Sequence, residues 1–71
     1  MKPEFATILA NGNREQIKLP CSVDDFVTNH GWKPTQVVVE LNGRVLQRDE
    51  LDKAMLHGGE QLEVIVPVAG G

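Results

Sequence analysis

The 71-residue chain predicts an α+β fold, a mixed sheet of four to five strands with one main helix packed across one face. Three observations predict it. Two strand-like runs at the start flank an Asn-Gly turn, a capping signature followed by apolar residues at helical spacing fills the middle, and alternating apolar runs return in the second half. One helix laid on one sheet is the economical way to bury such stripes in a short chain. At this size roughly 60% of the unfolded surface is buried, so one compact core is expected and a deep active site is not.

Residues 4–10 and 15–19 read as strands, and Asn11-Gly12-Asn13 between them accept the positive φ angles of a tight hairpin. Ile17 and Leu19 alternate with Gln16 and Lys18, which gives one buried and one wet face, and Pro20 ends the pairing. Ser22-Val23-Asp24-Asp25 has the form of a capping box, with the helix starting there. Val23, Phe26 and Val27 then fall on one stripe with His30 a further turn along, and Gly31 supplies a left-handed residue to close the helix. Lys33-Pro34 prevents continuation. Residues 37–41 form a β-branched run typical of a strand, and Asn42-Gly43 marks a second turn. A brief strand at 44–46 precedes a short helix or 3₁₀ segment starting at Arg48 or Asp49, whose apolar members are Leu51, Met55 and Ala54. Gly58-Gly59 breaks it. Leu62, Val64 and Val66 alternate with Glu63 and Ile65 as the last strand, facing the core.

This layout is that of the β-grasp, or ubiquitin-like, fold. The first and last strands are then central neighbours, and the chain leaves the middle of the sheet from a rigid support. Residues 1–66 are expected to form the domain and 67–71 a flexible tail. Glycine has no Cβ, so Gly70-Gly71 can enter a channel too narrow for other residues and present an unhindered carboxylate. Ile65 and Val38 point away from the core stripes, so an uncovered second sheet face would carry them as an apolar partner surface.

Composition excludes several functions. With 41% hydrophobic and 24% charged residues the chain is globular rather than disordered. A net charge of −3, no Tyr, two Phe and one Trp leave neither a basic stripe nor stacking surface for nucleic acid. Cys21 is the only cysteine, which excludes an internal disulfide, suits a reducing compartment, and reads as a packing residue. His30 and His57 form no local metal motif and read as a helix-end and a loop histidine. Asp24, Asp25, Asp49, Glu50 and Asp52 read as helix-start carboxylates, not as an acid–base pair. Gly58-Gly59 lacks phosphate-loop spacing, and Trp32 is assigned to the core edge with a binding role as the competing reading. The apolar run at 5–10 is too short for a signal sequence, and no run could span a bilayer. A soluble, cytoplasmic protein is expected, with no metal and no membrane partner. No nucleophile, base and oxyanion site can be assembled, so an independent enzyme is not expected.

Over nearly its whole length in layout, and most strongly from Val38 onward, the chain resembles the ThiS-like sulfur carriers of thiamine biosynthesis. The resemblance rests on Val39-Glu40-Leu41-Asn42-Gly43, on Arg48 after the next short strand, on Gly59-Glu60 in place of a Gly-Asp turn, and on the final Gly70-Gly71. Residues 67–71 are closer to MoaD-like tails, so the small subunit of molybdopterin synthase is the alternative, with a ubiquitin-like interaction module or modifier as a third reading. The resemblance implies a protein cosubstrate. A ThiF-like adenylyltransferase would use ATP to activate the Gly71 carboxylate, a sulfur donor protein would convert it to a thiocarboxylate, and a ThiG-like thiazole synthase would receive the sulfur. Val68, Ala69 and Gly70 would occupy the partner's channel, and no cofactor would be intrinsic to the carrier.

Overall fold

The computed structural model describes residues 2–68. Strands β1 (Glu4–Ala10) and β2 (Asn13–Leu19) form the opening hairpin, followed by helix α1 (Val23–Asn29), β3 (Val38–Leu41), β4 (Arg44–Val45) and β5 (Gln61–Ile65). Two 3₁₀ turns, Pro34–Gln36 and Arg48–Glu50, punctuate the connections. The sheet order is β2-β1-β5-β3-β4. β1 and β5 run parallel, while the β1–β2, β3–β5 and β3–β4 pairs are antiparallel. This is the β-grasp arrangement, and the first and last strands are the expected central neighbours.

Each local feature has a local cause. Asn11 and Gly12 adopt φ of 51° and 82°, so the hairpin closes through a two-residue turn and Asn13 is already paired with Ala10. β2 therefore begins two residues earlier than its alternation suggested. The Ser22 hydroxyl accepts from the Asp25 N–H at 3.0 Å, and the Asp25 carboxylate accepts from the Ser22 N–H at 3.4 Å, completing the capping box. Gly31, at φ +86°, ends the helix. Pro34 then starts a 3₁₀ turn in place of a further α-helical turn.

Val23, Phe26 and Val27 of α1 are buried against Ile8, Ile17, Val39, Leu62 and Val64 of the sheet. Trp32 is half-buried at the edge of this core, and Cys21 is buried within it. Two expectations need correction. Met55 is 41% exposed and Leu56 is the buried residue, because residue 55 bridges to Ser22 and the Leu56 N–H donates to the Cys21 carbonyl at 2.8 Å, an extended geometry rather than a helical one. Val66 lies outside β5 and is 52% exposed. Its ladder is exhausted, since Val38 already pairs with Ile65 and the preceding residues turn away into the 3₁₀ segment.

Candidate functional site

β5 is the element from which the site is built. Leu62 and Val64 are buried beneath α1, so period-2 alternation turns Glu63 and Ile65 to the opposite face. Val38 and Ile65 are direct cross-strand partners on that face, 39% and 42% exposed. The two residues expected to share an uncovered apolar surface are thus brought together. Residues 66–68 continue beyond the strand, all exposed, with Val68 93% accessible. Ala69, Gly70 and Gly71 lie outside the described residues.

Two asparagines hold the strand that leads there, and sequence reading assigned both only to turns. β1 ends at Ala10, leaving the Val64 N–H without a backbone partner on that side; the Asn11 side-chain oxygen accepts it at 2.8 Å. At the other flank the Asn42 side-chain oxygen accepts the Gln61 N–H at 2.9 Å, and its amide donates to Glu60 at 3.2 Å. The only signal in the sequence is that asparagine, like glycine, tolerates φ > 0 yet also carries an acceptor.

Where the chain leaves β5, an open cleft of about 570 Å³ is lined by Thr35, Gln36, Val37, Val38, Arg48, Val66 and Pro67. Arg48 braces its wall by donating to the Thr35 carbonyl at 3.2 Å. A second cleft, of about 380 Å³ among Lys2, Glu4, Pro20, Met55 and His57, sits at the start of β1, the opposite end of the sheet from the exit of β5.

The remaining candidates take structural roles. Burial pushes the Cys21 thiol above its ordinary pKa and the nearby Asp25 charge adds to that, so it stays protonated, with Sγ 3.4 Å from the Ser22 carbonyl oxygen. A protonated, buried thiol is a poor nucleophile. His30 stacks between Phe26 and Trp32, with ring centroids 4.1 and 5.7 Å away, and bridges the Phe26 carbonyl to the Glu15 carboxylate. It clips the end of α1 to β2. His57 stands in a loop beside Glu60. Among the described residues no group of three His, Cys, Asp or Glu side chains is placed to hold a metal, and no helix is long and apolar enough to cross a membrane.

The family model for ThiS matches residues 6–71. The chain belongs to the ThiS family. In structure it is similar to the thiamine biosynthesis protein ThiS from Geobacter metallireducens, with a TM-score of 0.77 over 92% of this chain and 99% of that one, at 25% sequence identity. A search of curated proteins finds no match. ThiS proteins are small sulfur carriers of thiamine biosynthesis rather than catalysts.

Proposed function

We infer that this protein carries sulfur on the carboxyl group of Gly71 for the formation of the thiamine thiazole. The observation that carries the reading is the placement of β5: a strand paired on both sides, clamped by Asn11 and Asn42, that delivers an exposed Val66-Pro67-Val68 segment toward Gly70-Gly71 in a chain whose family match runs through residue 71. The ThiS match favours the thiazole over molybdopterin.

A carboxylate is a poor electrophile. A ThiF-like adenylyltransferase supplies ATP, whose α-phosphorus takes the Gly71 oxygen as pyrophosphate leaves, giving an acyl adenylate. Sulfide delivered by a sulfur donor then attacks the carbonyl carbon, the C–O bond to AMP breaks, and a thiocarboxylate remains. If the sulfur arrives as a persulfide, a thiol reductant must then cleave the S–S bond. The thiocarboxylate gives its sulfur to a thiazole synthase of the ThiG kind. Val68, Ala69 and Gly70 thread the partner's channel, where glycine's missing Cβ permits close approach, and Val38 with Ile65 forms the adjoining docking face. The nucleotide and the catalytic groups belong to the partners, and the whole sequence takes place in the cytoplasm.

Incubation with the cognate adenylating enzyme, ATP and a sulfur source, followed by intact-mass analysis, tests the reading. The parent and Cys21→Ser should both gain the mass of one oxygen exchanged for one sulfur, while deletion of Gly71 or a bulky residue added after it should abolish the gain with the fold intact. Sulfur acceptance by the Gly71-deleted protein, or its loss in folded Cys21→Ser, would overturn it.

A further inference from the structure

Two residues along from the Val38–Ile65 pair, the register sets Glu40 of β3 directly opposite Glu63 of β5. Their inner neighbours Val39 and Val64 are buried, so both carboxylates stand on the outer face. Residues opposed in this way hold their Cβ atoms roughly 4.5–5.5 Å apart, and like charges so placed repel. Among the described residues neither carboxylate has an ion-pair partner. The ion pairs there are His30–Glu15, Arg44–Glu50 and His57–Glu60, and Arg48 is engaged with the Thr35 carbonyl. On one side Glu40 is paired across to exposed Val45 of β4; on the other Glu63 lies past the end of β1, whose last partner on β5 is Leu62.

The free protein gains nothing from two opposed carboxylates framed by exposed valines and an isoleucine. We propose that the Glu40–Glu63 pair is a receptor for one cationic side chain of the protein that takes up the tail, seated between the Val38–Ile65 pair and Val45. The proposal rests on the carrier reading and names the chemistry of the partner's docking surface: apolar, with an arginine or lysine at its centre. An arginine fits best, because its planar fork donates to two carboxylates at once and it is the more weakly hydrated cation. Continuity with the tail exit places this surface against whatever engages residues 66–68. A second copy of this chain would bring carboxylates onto carboxylates, so self-association is not the use of this face. Two carboxylates alone also fall short of the six to eight oxygens that calcium takes.

Glu40→Gln, Glu63→Gln, the double variant and Glu40→Lys should be measured in two ways: the urea midpoint of the free protein, and affinity for the cognate adenylating enzyme with sulfur loading followed in parallel. Each Gln variant should have a higher midpoint than the parent, and the double should gain less than the sum, because one repulsion is shared. Affinity should move the other way, about tenfold weaker for each Gln variant, and further still for Glu40→Lys, which pairs with Glu63 within the free protein. The parent's affinity should also fall more steeply with salt than that of the double variant. Parent-like binding by the Gln variants while the parent still loads sulfur would overturn this proposal alone. So would a joint loss of midpoint and affinity, which would make the pair structural. A parent that binds the enzyme but never gains sulfur would overturn the carrier reading, and this proposal with it.

Discussion

Glu50 shows how much a single exposed side chain can be tied to pH. Its carboxylate accepts the Gln47 N–H at 2.8 Å and an Arg44 N–H at 3.2 Å, and these, the backbone bond first, hold its pKa below the ordinary carboxylate range. A depressed folded-state pKa contributes stability that is present above the unfolded value of about 4.3 and lost as pH falls through the folded one. The urea midpoint of Glu50→Gln should therefore lie below the parent's at neutral pH, with the gap closing on acidification below pH ~4. A gap that stays constant down to the acid transition would show that the ionised form is not what the turn recognises. The Ser22–Asp25 box was legible in the sequence because a serine followed three residues later by a carboxylate is a strong local signature. Gln47–Glu50 was not, because glutamine is not among the favoured capping residues and only the folded loop brings Arg44 to the same carboxylate.

At the scale of elements, the two Asn-Gly turns link local conformation to the central strand. Glycine at position 11 would keep the positive φ but remove the oxygen that accepts the Val64 N–H. Asn11→Gly should thus cost about 1–3 kcal/mol, the range for a buried donor left unpaired, with faster amide exchange at Val64. Asn11→Asp, which retains the acceptor, should lose less; equal losses would assign the effect to the turn alone. Both hairpins, the helix and its end, and the alternation of β5 were legible because turn chemistry and periodicity act over a few residues. The segment 51–56 and the end of β5 were not. Whether residue 55 or 56 is buried depends on the bridge from Met55 to Ser22, and Val66 falls outside the sheet because a strand distant in sequence runs out of partners.

For the whole molecule, one helix closes one core. Phe26 is 2% exposed and lies on α1, the one α-helix among the described residues. Phe26→Ala should cost about 3–5 kcal/mol, a large part of the ~5–15 kcal/mol available to a typical domain. Chemical denaturation gives the number, and an unchanged midpoint would contradict the packing described. The adjacency of the first and last strands at the sheet centre was legible as a consequence of fold class, the rest of the strand order was not, and the shared outer face of Val38 and Ile65 followed from alternation. The opposed glutamates were invisible until register was known, since nothing in either strand's own sequence says which residue it will face.

The parallel pairing of β1 with β5 also has a mechanical consequence. The two strands point the same way, so a pull applied between the start of β1 and the end of β5 drags them past one another along their length. The bonds between Gly59 and Thr7, Leu9 and Glu60, Asn11 and Leu62, and Val64 and the Asn11 side chain share that load instead of opening one by one. A shear geometry resists extension better than an unzipping one. Force spectroscopy should therefore find a higher rupture force for a pull between the start of β1 and the end of β5 than for a pull across the β3–β4 edge.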